Sequence, residues 1–546
     1  MSADVVRING CPGGGKTTEL FKKVRQHHRD GMSADEMLYL TFTRTGRGEV
    51  GDRLLTVFDG DEDEISKRAK TFHGAACSEC YHAGVIDDVG EQVIQPGSKV
   101  DGTNPYQAFC EPRGLSYSAD EKSPLTDNTA SVTDGGNQLF ALADWLRYTQ
   151  NPAEKCNLAP ESIPLPTGYD RTVELVEAWD HHKARAYERP LFEHADYVDE
   201  AIEQSLTPGV DVLFIDEFQD LSPQEYLLFK TWRDSGLIDR IYIAGDENQS
   251  IYSFRAGTPR YFVETPVDET ENRTASYRCP EAIVSVARGV LEAHPDTDPN
   301  GFVAKTVGGH AERRTVEYAS GLVELVKQDI ESHTPDDGNT VFMLTRTNRQ
   351  KWNIGNALSD EGIPFEYIGT SDRHQPWRGE LQLLHRGLEA IGAGQNLAHK
   401  PAEIRGAVAD ALPRGWRESI DGYEELAAMD AGDVIGRLGL PHYDRDRLRS
   451  TIERGEWYDP TAVKVGTVHS SKGLEAPCVH LFDGYPGKMR REYQNGKNAA
   501  EEHRLYYVGA TRASETLRVI TGFQGMGSAV FPAFDGGLPE ATEVVA

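Results

Sequence analysis

Short apolar runs alternate with polar, helix-like stretches along most of this chain. The apolar runs begin at Val5, Val212, Ile241, Val341 and Val463, and each of them leads into a polar cluster. Such runs are typical of buried parallel strands, and apolar strands that alternate with helices indicate parallel α/β sheets. In these sheets, ligands bind at the carboxyl ends of the strands. The pattern therefore predicts an α/β protein with two parallel-sheet domains.

A glycine-rich segment follows the first of these runs. The residues at 10–18, GCPGGGKTT, fit the pattern G-x-x-x-x-G-K-[ST] at every fixed position and continue into a helix-like stretch. Glycines let backbone N–H groups converge on phosphate oxygens, the start of the helix adds positive potential, and a threonine hydroxyl can hold Mg²⁺. The sequence therefore predicts that the chain binds a nucleoside triphosphate together with Mg²⁺. The predicted binding residues are Gly10, Cys11, Pro12, Gly13, Gly14, Gly15, Lys16, Thr17 and Thr18.

Two carboxylates follow a second apolar run. The segment at 211–220 reads DVLFIDEFQD, so Asp216 and Glu217 come directly after a predicted buried strand. Phosphoryl transfer to water needs one carboxylate that holds the metal ion and one group that orients or deprotonates the attacking water. Asp216 suits the first role, beside Thr17, and Glu217 suits the second. With Lys16 they form the first part of the predicted catalytic set.

The motifs along the chain resemble, in content and in order, those of superfamily-one DNA helicases of the UvrD/Rep/PcrA type. After the phosphate loop come LTFTRTG (40–46), TFH (71–73), DEFQD (216–220), GDENQSIYSFR (245–255), SYRCP (276–280), TVHSSKGLE (467–475) and EEHRLYYVGATRA (501–513). The resemblance implies two RecA-like motor domains with mostly α-helical accessory insertions. It also implies an ATP-dependent translocase that moves on single-stranded DNA in the 3′-to-5′ direction and unwinds duplex DNA.

Further nucleotide contacts are implied by this resemblance alone. Gln249 resembles the glutamine that senses the terminal phosphate, and Arg278 and Arg512 resemble the paired arginine fingers of the second motor domain. Tyr277 resembles the residue that stacks on adenine, and Glu475 resembles the residue that reaches the ribose. Only nine residues precede the phosphate loop. We therefore expect no counterpart of the upstream glutamine motif that reads adenine in the family, and adenine specificity stays open.

The resemblance also implies a set of nucleic-acid contacts. Single strands are held by aromatic side chains on which bases stack and by polar or basic groups along the backbone. Phe42 and Phe254 resemble the stacking residues of the family. The other predicted contacts are Thr43, His73, Tyr252, Arg255, Arg346 and His469.

The same resemblance divides the chain into segments. The first motor domain is interrupted by an accessory insertion similar to domain 1B. The second is interrupted by a reduced insertion similar to domain 2B, which we expect to be small and all-helical. In chain order the predicted boundaries are 1–75 (first motor domain, ATP-binding part), 76–200 (1B-like insertion), 201–275 (first motor domain, second part), 276–370 (second motor domain, first part), 371–461 (2B-like insertion) and 462–546 (second motor domain, second part).

The charge balance does not fit a nucleic-acid-binding protein at first sight. The formal net charge is −30, and the chain has 18 Lys against 39 Arg. An acidic balance ordinarily argues against binding to a polyanion. Surfaces rich in acid and poor in lysine resemble proteins of salt-loving archaea and their viruses, in which salt screens self-repulsion. The bulk charge therefore indicates habitat more than binding partner.

The seven cysteines are too few for a disulfide scaffold in a chain of 546 residues. Cys77 and Cys80 form a C-x-x-C pair with His82 close behind, and the residues leave open whether they bind a metal or are reduced, packed thiols. The sequence contains neither an apolar run of membrane-spanning length nor a signal segment. We therefore expect a soluble, cytoplasmic protein with no membrane partner.

Two alternative functions stay open at the level of sequence. One is an ATP-gated single-strand DNA-binding regulatory protein that does not unwind, and the other is a motor directed to RNA. Glu217, Gln249 and the two arginine fingers favour turnover over regulation, because they serve hydrolysis rather than binding. The sequence identifies no protein partner. It does not decide between roles in DNA repair, DNA replication or a viral cycle.

Overall fold

The computed structural model describes residues 2–42, 44–125, 132–333, 340–370, 374–413, 426, 429–454, 459–527, 529–534 and 538. The chain forms two compact units. Unit 1 comprises Met1–Ser276 and Asn300–Phe302, and unit 2 comprises Tyr277–Pro299 and Val303–Ala546.

Unit 1 is built around a six-stranded sheet in the order β3-β2-β4-β5-β1-β6, and all neighbours are parallel. The strands are β1 (Asp4–Gly10), β2 (Met37–Leu40), β3 (Ala69–Lys70), β4 (Val212–Ile215), β5 (Arg240–Gly245) and β6 (Glu269–Arg273), followed by β7 (Ala275–Ser276). Alternate residues of the central strands enter the cores on opposite faces of the sheet, Leu213 on one and Phe214 on the other. Because both faces of the sheet are covered, the consecutive residues Leu213 and Phe214 are both apolar.

The helices of unit 1 cover the sheet and extend into a separate helical part. They are Lys16–Arg29, Arg44–Leu55, Glu62–Ser66, Phe72–His82, Val89–Gln92, Pro105–Cys110, Gly135–Tyr148, Tyr169–Arg185, Asp196–Glu203, Pro223–Asp234 and Arg260–Glu264. The helices between residues 105 and 185 have their own hydrophobic core, in which Phe109, Phe140 and Trp179 pack together. A capping box between Ser222 and Glu225 fixes the start of the helix that follows β4.

Unit 2 is built around a second parallel six-stranded sheet, in the order β11-β12-β10-β13-β15-β9. Two further strands, β14 and β16, form a short antiparallel pair that is separate from this sheet. The strands are β8 (Val303–Ala304), β9 (His310–Thr315), β10 (Val341–Thr345), β11 (Glu366–Tyr367), β12 (Val463–Thr467), β13 (Ala476–Phe482), β14 (Gly484–Tyr485), β15 (Ala513–Thr521) and β16 (Ala529–Val530). The predicted α/β class with two RecA-like parallel-sheet domains is confirmed.

The described helices of unit 2 fall into two groups. Those that accompany the sheet are Glu281–Glu292, Ala319–Ser332, Asn348–Asp360, Gly487–Gln494 and Ala499–Ala510, and those of the insertion between β11 and β12 are Gly379–Gly392, Ala402–Ala411, Ala431–Arg437 and His442–Arg454. The insertion has its own small core around Trp377, Leu388 and Leu448. Across the described parts of both units, the helices are too short or too polar to cross a bilayer.

Candidate nucleotide and nucleic-acid site

The phosphate loop joins the end of β1 to the first helix of unit 1. Gly13 (φ 66°) and Gly15 (φ 78°) have left-handed backbone conformations, which favour glycine. A Cβ atom at Gly14 would lie 2.7 Å from the Arg273 carbonyl oxygen and 2.9 Å from that of Cys11. The loop can therefore keep this shape only with glycine at these positions, and it leads into the start of a helix, which is a favourable place for an anion.

Lys16 begins this helix and folds back over the loop. Its Nζ atom donates to the carbonyl oxygens of Gly10 at 2.9 Å and Cys11 at 3.3 Å. The side chain is buried, although both acceptors are neutral. A buried cation is better satisfied by an anion than by neutral carbonyl groups, so this position fits a phosphate group of a nucleotide.

Thr17, in the first turn of the helix after β1, lies against Asp216, which follows β4. The Thr17 hydroxyl donates to Asp216 Oδ2 at 2.7 Å, and the Tyr39 hydroxyl donates to the same oxygen at 3.2 Å. Burial, and then repulsion by the Glu217 carboxylate, raise the pKa of Asp216. A buried carboxylate beside a hydroxyl is an oxygen donor pair of the kind that Mg²⁺ takes, so these two residues fit the metal.

Glu217 has a strained backbone and an oriented side chain. It adopts a left-handed conformation with φ 57°, which is rare outside glycine and is typical of functional sites. Its Oε2 atom accepts a hydrogen bond from Gln219 Nε2 at 2.5 Å, while Gln219 Oε1 accepts from the Asp246 N–H at 3.1 Å. Gln219 thus fixes the carboxylate. This role of Gln219 was not predicted from the sequence, although the glutamine stands in the DEFQD motif itself.

Gln249 follows the end of β5, next to the strands that carry the phosphate loop and the two carboxylates. It is buried, and its backbone N–H donates to the Asp246 carbonyl oxygen at 2.9 Å. Burial raises the pKa of Asp246 to about 6, against the opposing attraction of Lys16. The sheet of unit 1 therefore brings together the loop, Asp216, Glu217 and Gln249, while the catalytic role of each stays a prediction.

Unit 2 carries the other predicted nucleotide contacts. Arg278 forms an ion pair with Glu475, so the predicted arginine finger and the predicted ribose contact touch each other. Tyr277 is 66% exposed, and its ring lies 5.7 Å from the Lys305 ammonium group. An exposed aromatic ring next to a cation can stack on a base without rearrangement of the core.

Arg512 has a different environment from Arg278. It is buried, and its guanidinium donates to the carbonyl oxygens of Val508 at 3.0 Å and Leu474 at 3.2 Å and to the Thr511 hydroxyl at 3.4 Å. These acceptors orient the planar guanidinium. The geometry fits a preorganised cation, and the finger role stays a prediction.

Four of the predicted nucleic-acid contacts form one cluster in unit 1. The rings of Phe42 and Tyr252 are stacked with centroids 5.2 Å apart, and Tyr252 meets Phe254 at 5.7 Å. The Arg255 guanidinium lies 5.1 Å from the Phe42 ring centroid. All four side chains are partly exposed, so they can offer ring faces and a cation to a strand. The predicted contact Thr43 lies outside the described residues.

His73 lies against three other rings rather than in open solvent. Its neighbours are Tyr148 at 6.1 Å, His194 at 6.2 Å and Tyr197 at 6.5 Å between centroids, and its Nδ1 atom is 3.5 Å from the Glu225 carboxylate. Burial lowers the pKa of His73 to about 4 in spite of this carboxylate. The imidazole is therefore neutral at pH 7, and it would contact a strand by a hydrogen bond rather than by charge.

This pKa predicts an acid-sensitive term in the stability of unit 1. In the unfolded chain the imidazole titrates near 6.5, so below that pH protons bind the unfolded state better and stability falls until about pH 4. Between pH 7 and pH 5 we expect the free energy of unfolding to fall by about 1–2 kcal/mol more in the wild type than in His73→Gln. Denaturant unfolding at both pH values measures this. Equal losses in the two proteins would contradict the assignment.

The remaining two predicted strand contacts lie in unit 2. The Arg346 guanidinium makes three hydrogen bonds of 2.7–3.2 Å to the buried Glu502 carboxylate, which raises the pKa of this arginine. Its predicted phosphate contact stays a prediction, and the ion pair with Glu502 fixes the orientation of the guanidinium. His469 begins a short 3₁₀ helix, His469–Ser471, and is partly exposed.

The cysteine pair does not form a metal site within the described residues. Cys80 is buried, its Sγ atom donates to the Tyr197 carbonyl oxygen at 3.2 Å, and burial raises the pKa of this thiol to about 12. In the described chain, the only cluster with metal-ligand spacing is Asp329, Cys478 and His480. There the Asp329 carboxylate is already held by Arg518 at 2.6 and 2.8 Å, so this cluster is a buried ion-pair network.

Two protein families match this chain. Residues 2–268 match the UvrD/REP helicase N-terminal domain, and residues 444–523 match the UvrD-like helicase C-terminal domain. ATP-dependent DNA helicase UvrD2 from Mycobacterium tuberculosis (strain ATCC 25618 / H37Rv) is 23% identical over 547 residues, which cover 92% of this chain and 74% of that protein. ATP-dependent DNA helicase Rep from Escherichia coli (strain K12) is 23% identical over 410 residues, which cover 56% and 59%. The two matched regions contain most of the predicted site residues.

Proposed function

We infer the function of this chain from its matches to the N-terminal and C-terminal domains of UvrD-type helicases. We propose an ATP-dependent DNA helicase that moves along single-stranded DNA and separates the duplex ahead of it. The observation that carries this proposal is the pairing of Thr17 with Asp216 at 2.7 Å, beside a Glu217 carboxylate held by Gln219. These groups serve ATP hydrolysis, which a protein that only binds nucleotide does not need.

We assign the phosphates, the metal ion and the attacking water to residues of unit 1. The loop N–H groups and the Lys16 ammonium group hold the phosphates, and Lys16 exchanges neutral carbonyl acceptors for charged ones. Thr17 and Asp216 would hold Mg²⁺, which supplies charge neutralisation of the phosphates when it is bound. Glu217 orients the attacking water and accepts its proton, and Gln219 keeps that carboxylate in place.

We assign the transition-state charge to the arginines of unit 2. Arg278 and Arg512 supply positive charge to the terminal phosphate, while Tyr277 and Glu475 bind the base and the ribose. The basis is the resemblance of their motifs, together with the buried and oriented guanidinium of Arg512. A charge that is fixed before the reaction stabilises the transition state without a reorganisation cost.

The grip on DNA is assigned to the cluster of Phe42, Tyr252, Phe254 and Arg255. Its rings and its single cation provide stacking and one phosphate contact in one place. We propose movement in the 3′-to-5′ direction from the family alone. A strand-displacement experiment tests the direction of movement and the choice between DNA and RNA together.

The decisive experiment uses four partial duplexes, of DNA or RNA, each with a 3′ or a 5′ single-stranded tail. We expect ATP-dependent displacement of the DNA duplex with the 3′ tail, and none by the Lys16→Ala variant. ATP hydrolysis and DNA binding without displacement on any substrate would establish the regulatory alternative. Preference for the RNA duplexes would establish the RNA-directed motor, and displacement from the 5′ tail would refute the proposed polarity.

Phe254→Ala should weaken single-strand DNA binding by about 1–3 kcal/mol, the usual worth of one base stacked on an aromatic ring. The reason is that the ring is partly exposed and meets Tyr252 at its edge rather than being enclosed by the core. Fluorescence anisotropy with a labelled oligothymidine measures the affinity. The matched control is Tyr81→Ala, which removes a ring that is 52% exposed elsewhere in unit 1. Unchanged affinity for single-stranded DNA in a folded Phe254→Ala protein would show that this ring packs within unit 1 and does not stack on a base.

We also propose that the chain functions in a salt-rich cell. A net charge of −30 destabilises a compact state by self-repulsion at low ionic strength. At 1 M salt the Debye length is about 3 Å, which screens this repulsion. We therefore expect thermal stability and ATPase rate to peak at molar KCl rather than at about 0.1 M. Cooperative folding with the full ATPase rate in dilute buffer would contradict the proposal of a salt-rich cell.

A further inference from the structure

A cavity of about 260 Å³ lies in unit 1, beside the Gly135–Tyr148 helix. It belongs to the helical part outside the sheet, and its lining combines aromatic rings with two carboxyl groups. The lining residues that matter here are Tyr106, Tyr117, Phe140, Asp144, Tyr148, Glu193 and His194. Because one water in the liquid takes roughly 30 Å³, the volume is on the order of that needed for a single ring system.

The aromatic side chains form a corner. Tyr106 and Tyr117 are parallel, with centroids 5.6 Å apart and an interplanar angle of 9°. Phe140 stands at 84° to Tyr106 and at 83° to Tyr117. A planar group that stacks on the tyrosine wall therefore meets the Phe140 ring in the edge-to-face arrangement that aromatic groups prefer.

The two carboxyl groups of the cavity differ in their partners. Glu193 is satisfied, since it accepts hydrogen bonds from Trp179 Nε1 at 2.9 Å and from Lys183 Nζ at 2.7 Å. Asp144 lines the cavity and has no hydrogen-bond or ion-pair partner among the residues that the structure describes. Burial, and then repulsion by Glu193, raise the pKa of Asp144 well above that of an ordinary carboxyl group.

A neutral carboxyl group offers one donor and one acceptor side by side. The hydrogen-bonding edge of each DNA base also presents a donor next to an acceptor, so the two can form a pair of hydrogen bonds. An organic cation fits less well, because Lys183 and Arg147 already place positive charge near Asp144. The chemistry therefore favours a nucleobase over an ammonium group.

The cavity is also continuous with residues that we assign to the DNA strand. Tyr148 and His194 line it on one side and pack against His73 on the other, at 6.1 and 6.2 Å. The charge of Arg255 acts on both His73 and Tyr148, so the cluster of Phe42, Tyr252, Phe254 and Arg255 is close by. The cavity therefore adjoins the residues to which we assign the DNA strand.

We propose that this cavity binds one base extruded from the single strand, stacked on Tyr117 and hydrogen-bonded to the Asp144 carboxyl group. The proposal rests on the proposed function, since it names a second contact for the same DNA strand. It accepts all four bases, which suits a motor that must pass any sequence. The site would hold the strand between steps by one base, in addition to the stacking cluster.

The test measures binding of the full chain to a short oligothymidine in which one base at a time is removed to leave an abasic site. In the wild type, removal of a base should weaken binding by about 5- to 100-fold at the positions that stack. At one of these positions the penalty should vanish in Tyr117→Leu and in Asp144→Leu but persist in Phe254→Ala. The control Tyr81→Leu, at an exposed tyrosine away from the cavity, should keep every penalty. Asp144→Asn, which keeps the shape and the polarity, should reduce the penalty at that position only in part.

The outcomes separate this proposal from the proposed function. No single-strand binding by the wild type would refute the function. Normal binding with every abasic penalty retained in the cavity variants would refute the cavity proposal and leave the function standing. Should the leucine variants fail to fold, retention of the full penalty in Asp144→Asn would overturn it. Calorimetric binding of tetramethylammonium by the wild type, lost in Tyr117→Leu while the penalties persist, would assign the cavity to an organic cation instead.

Discussion

Glu217→Gln should leave ATP binding nearly intact and reduce DNA-stimulated ATP hydrolysis by at least about 10²–10⁴-fold, the usual contribution of a general base. The substitution keeps the size of the side chain and removes its charge. The metal-side carboxylate Asp216 and its 2.7 Å hydrogen bond from Thr17 are untouched. Binding of a fluorescent ATP analogue and steady-state ATPase with saturating DNA measure the two effects separately.

The matched control for this experiment is Gln219→Leu. Gln219 touches neither the nucleotide nor the water in our assignment, and it positions the Glu217 carboxylate through its 2.5 Å hydrogen bond. For Gln219→Leu we expect a smaller fall in kcat than for Glu217→Gln, with KM for ATP unchanged. Glu217→Gln and the wild type should unfold at the same temperature. Turnover near the wild-type rate in Glu217→Gln would refute the assignment of this carboxylate.

The fold and the phosphate side of the site are encoded locally, which is why the sequence predicts them. Glycines at 13 and 15 are required by a left-handed backbone, and Asp216 is placed by the four buried residues of β4 before it. In a parallel sheet, neighbouring strand ends must lie side by side. A pattern of residues within a few positions of a strand therefore predicts the location of a site.

The partners of individual charges were not predictable in this way. Arg346 follows β10, and its predicted phosphate contact stays a prediction, but its ion pair with Glu502, 156 residues away, was not predictable from the sequence. His73 packs against rings from two separate helices and from the turn at His194. Asp144 stands on a helix without any motif, and only packing shows that it faces a cavity. Such contacts depend on long-range packing, which no local pattern records.

Arg512 illustrates how a catalytic and a structural role can coincide. Its guanidinium holds the carbonyl oxygens of Val508 and Leu474, so truncation leaves buried acceptors without a donor as well as removing charge. We therefore expect Arg512→Ala to lower both kcat and thermal stability. Arg278 separates the two roles more cleanly, because its ion-pair partner Glu475 is 54% exposed and little of the core depends on it.

Arg278→Ala should lower kcat by about 10³-fold or more and change the affinity for ATP little, since an arginine finger acts mainly on transition-state charge. Glu475→Gln is the matched control: it breaks the same ion pair and keeps the guanidinium. Because we assign Glu475 to the ribose, this control should raise KM for ATP and leave kcat near the wild-type value. ATPase kinetics with saturating DNA separate the two parameters. If Glu475→Gln reduced kcat as much as Arg278→Ala, with KM unchanged, the ion pair rather than the finger would explain both losses.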